Sequence, residues 1–179
     1  GSATGVVRND DAGFAISAVQ ADLPEGSGAP THYTFQVTRT GDVSTERTVN
    51  YIVQGHGEIG TSADDFTSPV LTGSVHFAAG QTVATLVVPI NGDNTVESTE
   101  SFSVVLTDAG DNAQVLAATA IGVVGQDDAA ISIRALQAVQ LEGSEVGNPH
   151  TFLITRSGNL DSQITVHWQV SGTGVHPVD

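Results

Sequence analysis

The feature that most constrains this chain is that it repeats itself. Residues 3–62 align with residues 120–179 at a constant offset of 117, without a gap, and 24 of the 60 pairs are identical. Val6-Val7 and Asp10-Asp11-Ala12 return as Val123-Val124 and Asp127-Asp128-Ala129. Glu25-Gly26-Ser27 returns as Glu142-Gly143-Ser144, and Thr38-Arg39 as Thr155-Arg156, each Arg followed by a Gly two residues later. Tyr51 is matched by Trp168. A period of 117 is the length of a domain, so the pattern reads as tandem domains rather than a solenoid of small units. Residues 1–12 are then expected to hold the last strand of a preceding repeat, 13–128 one complete repeat, and 129–179 the N-terminal part of the next. A half-domain of about 50 residues buries too little surface to stand alone. It is expected to be completed by further sequence or by another chain.

Within the repeat the apolar residues alternate. Phe35-Gln36-Val37, Val49-Asn50-Tyr51-Ile52-Val53 and Phe102-Ser103-Val104-Val105-Leu106 have the period of two that marks half-buried strands. Further strands are expected from about Gly13 through Ile16, over Val75-His76-Phe77, from Ala84 to Ile90, and from roughly Val115 to Val124. Gly-rich turns such as Thr40-Gly41-Asp42 and Gly55-His56-Gly57 punctuate them. No segment has a capped helical stripe. Seven strands at this spacing suggest an all-β, immunoglobulin-like antiparallel β-sandwich in tandem repeats. Pro89 places its strand at an edge or a bulge, and Tyr51 and Trp168 fall on the face expected inside.

Charge narrows the chemistry. Twenty Asp and Glu face five Arg and no Lys, a formal charge of −15, and there is no Cys. A polyphosphate partner would be repelled, which argues against nucleic acid. Disulfide and thiol chemistry are absent. No run approaches the roughly 18 apolar residues of a membrane span. Charged residues are only 14% of the chain while hydrophobic residues are 39%, so this is no disordered acidic tail. The acids are grouped: Asp10-Asp11, Glu25, Asp64-Asp65, Asp93 to Glu100, and Asp127-Asp128.

In a sandwich, loops far apart in sequence meet at one end, and carboxylates gathered there repel one another unless a cation joins them. Ca²⁺ takes roughly six to eight oxygens and tolerates mixed carboxylate, carbonyl and water donors. Mg²⁺ is stricter and comes second. Zinc finds little support, because the six His show no paired spacing. The competing reading is that acids merely solvate loops and cap turns, which suits the isolated Asp42, Asp108 and Asp111.

The stretch Ser62-Ala63-Asp64-Asp65-Phe66, then Gly73-Ser74-Val75-His76-Phe77-Ala78-Ala79-Gly80, resembles the central signature of the Calx-beta domain family. So does Ile90-Asn91-Gly92-Asp93-Asn94-Thr95-Val96-Glu97-Ser98-Thr99-Glu100-Ser101-Phe102, closed by Asp127-Asp128-Ala129. The resemblance covers residues 14–128. It implies an immunoglobulin-like sandwich that binds Ca²⁺ at one end through Glu25, Asp65 with its neighbour Asp64, Asp93, Glu97, Asp127 and Asp128. It further implies a carbonyl contribution from Thr95 and a supporting role for Glu100. Gly92 and Gln126 stand where the resemblance leads one to expect further Asp, so one or two ions are expected.

A calcium ion at the repeat boundary suggests a structural role: a repeat that stiffens a long extracellular adhesin, surface or fibre-forming protein. The partners implied are neighbouring repeats of the same chain, and in a fibre, other copies of it. The alternative is a calcium-sensing regulatory domain of a membrane transporter or signalling protein. Tight affinity would favour sensing, and weak affinity a structural role. Catalysis is not expected, because no nucleophile elbow, phosphate loop or metal-hydrolase motif is present.

Overall fold

Alternation in the sequence decides which side of each strand turns inward. In β3 (Thr31–Gly41), Tyr33, Phe35, Val37 and Arg39 are buried while the residues between them stay accessible. β1 (Ala12–Gln20) contributes Phe14 and Ile16, and β4 (Arg47–Gly55) contributes Val49 and Val53. β5 (Thr72–Phe77) and β6 (Val83–Ile90) add Val75, Phe77, Leu86, Val88 and Ile90. β7 (Glu100–Leu106) adds Phe102, Val104 and Leu106. The structure, a computed structural model, describes residues 1–67, 71–137, 139 and 149–172.

With β2 (Asp22–Pro24), β8 (Ala113–Ala117) and β9 (Thr119–Gly125), these strands make two sheets. One has the order β6-β3-β1-β8 and the other β2-β9-β7-β4-β5. They face each other across a core centred on Phe102. Its ring meets Tyr33, Phe35 and Phe66 edge-on at centroid distances of 5.4, 5.8 and 5.9 Å, a geometry that suits aromatic quadrupoles. Gly122 of β9 lies directly under that ring, where a Cβ would collide with it. Pro89 lies in β6, the edge strand of its sheet, which pairs with β3 and at its end is bridged to Phe66, in keeping with the edge position expected of a proline-bearing strand.

The all-β sandwich is as expected, and two details of it differ. The sandwich is not wholly antiparallel, since β1–β8 and β2–β9 run parallel. The last strand, expected from about Val115 to Val124, is two strands. β8 pairs with β1 in one sheet and β9 with β7 in the other. The chain changes sheets at Ala118, whose carbonyl accepts the Leu106 N–H at 2.7 Å.

Residues 3–12, expected as a strand, run as exposed chain up to Asp11 and join no sheet among the described residues before Ala12 opens β1. Beyond the sandwich, β10 (Ala129–Ala135) and β11 (Phe152–Gly158) form an antiparallel pair. Its register, Ala129↔Gly158 through Ala135↔Phe152, is that of β1 and β3 moved by 117 residues. The environment differs. Phe14, Phe35 and Val37 are fully buried, whereas their counterparts Ile131, Phe152 and Ile154 are 39%, 51% and 44% exposed. Trp168, expected inside, is 72% exposed because no second sheet covers it among the described residues. Glu142, the counterpart of Glu25, lies outside the described residues.

Candidate metal centre

One end of the sandwich collects the end of β2, the exits of β6 and β9, the entry of β7 and the loops 62–66 and 91–99. Glu25 follows β2 directly. Its N–H donates to the Gly125 carbonyl at 2.9 Å, and its own carbonyl accepts the Thr31 hydroxyl at 2.5 Å. The buried Tyr33 hydroxyl donates to the Leu23 carbonyl at 2.8 Å, tying this segment to the core. Glu25 is thereby held nine-tenths buried, at 7% exposure.

The loop before Phe66 is fastened by Asn91 at the exit of β6. The Asn91 N–H donates to the Asp65 carbonyl at 2.7 Å, and its side-chain amide to the Asp64 carbonyl at 2.9 Å. Asp65 turns its carboxylate toward the pole and accepts the Ser62 N–H. Asp93 accepts the Thr95 N–H at 2.6 Å in a tight turn of the acidic loop, with Thr95 itself exposed. At the far end of β9, Asp127 accepts the Gly26 N–H at 3.2 Å. Asp128 is 8% exposed, and its Oδ2 is buried without a hydrogen-bond partner.

Two groups of carboxylates converge. One oxygen each from Glu25, Asp65 and Glu97 lie within 4.8 Å of one another, and so do oxygens from Glu25, Asp93 and Asp128. Glu25 belongs to both. Of the sequence-derived candidates, five therefore come together: Glu25, Asp65, Asp93, Glu97 and Asp128. Glu100 stands beside Asp65, whose charge adds to the burial that raises the Glu100 carboxyl. Asp127 is in neither group, and one of its oxygens accepts the Gly26 N–H. Asp64 and Thr95 are outside both groups and serve the loops through their backbones.

The electrostatics show what this arrangement lacks. Burial, then the charges of Glu97, Asp93, Asp128 and Asp65, push the Glu25 carboxyl from 4.5 up to about 7. Glu97, Glu100 and Asp128 are also raised, each by desolvation first and neighbouring carboxylates second. Two like charges about 5 Å apart repel by roughly 3 kcal/mol at an effective dielectric of about 20. No Arg answers them: among the described residues the ion pair found is His76 with Glu46 at 3.8 Å, remote from this end. An all-oxygen donor set, a shared central carboxylate and an orphaned buried Oδ2 fit a hard divalent cation, and Ca²⁺ better than Mg²⁺ because donors of mixed depth and loop origin do not impose an octahedron.

A two-sheet sandwich with a carboxylate-lined pole defines a class of cation-binding β-modules. The Calx-beta domain family matches residues 9–134, and the chain belongs to that family. It is 29% identical over 163 residues to adhesion G-protein coupled receptor V1 of Danio rerio, a match covering 90% of this chain and 2% of that protein. Among solved structures it resembles the apo-form Calx CBD1 domain, with a TM-score of 0.56, 20% identity, and coverage of 66% of this chain and 100% of that one. It also resembles the calcium binding domain CBD12 of CALX1.1, with a TM-score of 0.53, 22% identity, and coverage of 63% and 44%.

Sequence reasoning missed the residues that shape the pole without carrying charge. Asn91 is one. Gly92 is another: a Cβ there would strike the Gly26 carbonyl, so the position expected to hold a further Asp has no room for a side chain. Gln126 likewise replaces an expected Asp, and its Nε2 donates to the Asp128 carbonyl at 2.7 Å. The only sequence signal for these roles was their place between acids, which does not say which backbone passes nearby.

Proposed function

We propose that this chain is a calcium-binding structural module whose ion fixes the junction between the 13–128 sandwich and the segment that follows. Asp128 carries the reading. Its carboxylate joins Glu25 and Asp93 within 4.8 Å, while its carbonyl accepts the Asn159 N–H at 2.7 Å from the turn after β11. One residue thus links the acidic pole to the next hairpin. A cation held by Glu25, Asp65, Asp93, Glu97 and Asp128 would neutralise the repulsion and fasten the linker together. Tandem modules joined in this way suit a long extracellular adhesin, surface or fibre protein, where millimolar calcium keeps weak sites filled. Support comes from the repeat at 117 residues and from the likeness to one stretch of a very long adhesion receptor. The role is binding and mechanical rather than catalytic.

The test is calcium titration of chelator-treated protein followed by thermal unfolding and calorimetry. A ligand that binds only the folded state must stabilise it, so a rise in Tm is expected, with half-saturation between tens of micromolar and millimolar. No shift at millimolar calcium removes the proposal. Submicromolar binding would instead favour the sensing role.

A further inference from the structure

Two turns of this chain are built alike, and only one is covered. In the second, the Asn159 N–H donates to the Asp128 carbonyl at 2.7 Å, Arg156 Nη2 donates to the Asn159 carbonyl, and Gln126 Nε2 donates to Asp128 O at 2.7 Å. The Asp161 N–H closes the turn on Asn159 Oδ1 at 2.7 Å. Moved back by 117 residues, every contact recurs. Asp42 N–H donates to Asp11 O at 2.8 Å, Arg39 Nη2 to Asp42 O at 2.7 Å, Asn9 Nδ2 to Asp11 O at 3.4 Å, and Ser44 N–H to Asp42 Oδ1 at 3.0 Å. Gly41 and Gly158 share a left-handed conformation, φ 79° and 81°, and in each the carbonyl oxygen of the Asp, Asp11 or Asp128, lies 2.3 Å from where a Cβ would stand.

What lies on top differs. Val96, from the acidic loop of the sandwich, rests on Gly158, its γ-carbons 3.1 Å from where a Cβ would stand. Asp128 is correspondingly buried. Over Gly41 the three nearest atoms are all backbone, from Asp11 and Ala12, and Asp11 is exposed. A cavity of about 470 Å³ opens beside it, lined by Asn9, Asp11, Gly13, Thr40, Asn112 and Leu116. The turn is nonetheless rigidly made, because the fully buried Arg39 braces it from within.

We propose that residues 9–12 with 39–44 form a docking surface for the acidic pole of another Calx-beta unit. That pole is received here as the 13–128 sandwich receives the β10–β11 hairpin. The occupant is defined by its chemistry: a Val96-type apolar tip to sit on Gly41, and a Glu25–Asp93 pair to meet the Asp11 carboxylate. Asp11 adds negative charge to an acidic pole, so a divalent cation belongs to the contact, and that part alone rests on the calcium reading above.

The test joins a second copy of residues 3–119 ahead of Ala3, which preserves the 117-residue register and lets residues 3–8 serve as β9 of the added copy. The chain has no Cys, so Val87→Cys in the added copy and Val19→Cys in the original chain take spin labels at exposed strand positions. A single narrow distance distribution in calcium is expected, together with twice the calcium stoichiometry of the 179-residue chain. Asp11→Asn should weaken uptake at the added site at least tenfold while leaving the 179-residue chain unchanged. A broad distribution with calcium uptake intact, or indifference to Asp11→Asn, overturns the docking surface alone. If the 179-residue chain takes up no calcium, the calcium reading fails, while a narrow distance without calcium still supports docking.

Discussion

Replacing Glu25 by Gln separates a metal site from a merely acidic surface, because the sign of its effect depends on whether calcium is present. In the metal-free protein the Glu25 carboxyl is raised from 4.5 to about 7, first by burial and then by four neighbouring carboxylates. The folded state therefore holds its proton more tightly than the unfolded chain. The penalty is absent below about pH 4.5, where both states are protonated. It grows as pH rises through the interval up to about 7 and is complete above it. At 1.36 kcal/mol per pH unit the interval sets a ceiling of about 3.4 kcal/mol. Asp93 and Glu97 are exposed, so solvent screening brings the expected effect to about 1–2 kcal/mol. Glu25→Gln should accordingly raise the Tm of chelator-treated protein at pH 7.5 by roughly 3–8 °C, and change it little at pH 4.5. With calcium at about 100 times its dissociation constant, wild type gains about 2.7 kcal/mol, and the variant should gain a small fraction of that. Scanning calorimetry of both proteins at both pH values decides. A variant that is less stable than wild type in chelator at pH 7.5, or that keeps the full calcium shift, refutes the reasoning.

Other substitutions follow from the same geometry. Asp65→Asn should weaken calcium binding at least tenfold by calorimetry, whereas Asp64→Asn, outside both carboxylate groups, should leave it within twofold. Gly92→Ala drives a Cβ into the Gly26 carbonyl and should cost about 1–3 kcal/mol in denaturant unfolding, with calcium affinity falling as the acidic loop shifts. Phe102→Ala removes the ring on which Tyr33, Phe35 and Phe66 converge and should cost about 3–5 kcal/mol, measured on the calcium-loaded protein. A loss below about 1 kcal/mol would displace Phe102 from the centre of the core.

Much of this was legible in the residues, for reasons that can be named. Alternation in β3, β6 and β7 exposes the inward set directly, since a strand with one buried face must repeat every two residues. The 117-residue offset carried over to register, because residues identical at Ala12/Ala129 and Gly41/Gly158 impose the same pairing. The break at Ala118 was not legible: alternation reports which side of a strand is buried, and it is silent on which sheet the strand joins. Asp64 and Asp65 are chemically identical neighbours, and which carboxylate turns inward depends on bonds from elsewhere, those of Asn91 to both carbonyls and of the Ser62 N–H to the Asp65 carboxylate. Gly92 reads in sequence as an acid that is missing, yet it is a position where the Gly26 backbone passes too closely for any side chain. Trp168 followed its strand pattern correctly but has no sheet over it among the described residues, since a pattern records what a face is made for and not what covers it.

The central claim is that calcium at the acidic pole fastens the sandwich to the hairpin that follows, and the Asn159 amide reports on it most directly. That N–H is bonded to the carbonyl of Asp128, whose carboxylate belongs to the pole. Hydrogen exchange at Asn159, followed with and without calcium, should slow by at least tenfold when the ion is bound, while amides in the middle of β3 change far less. Exchange at Asn159 that is indifferent to calcium, in protein shown to bind it, would contradict the account.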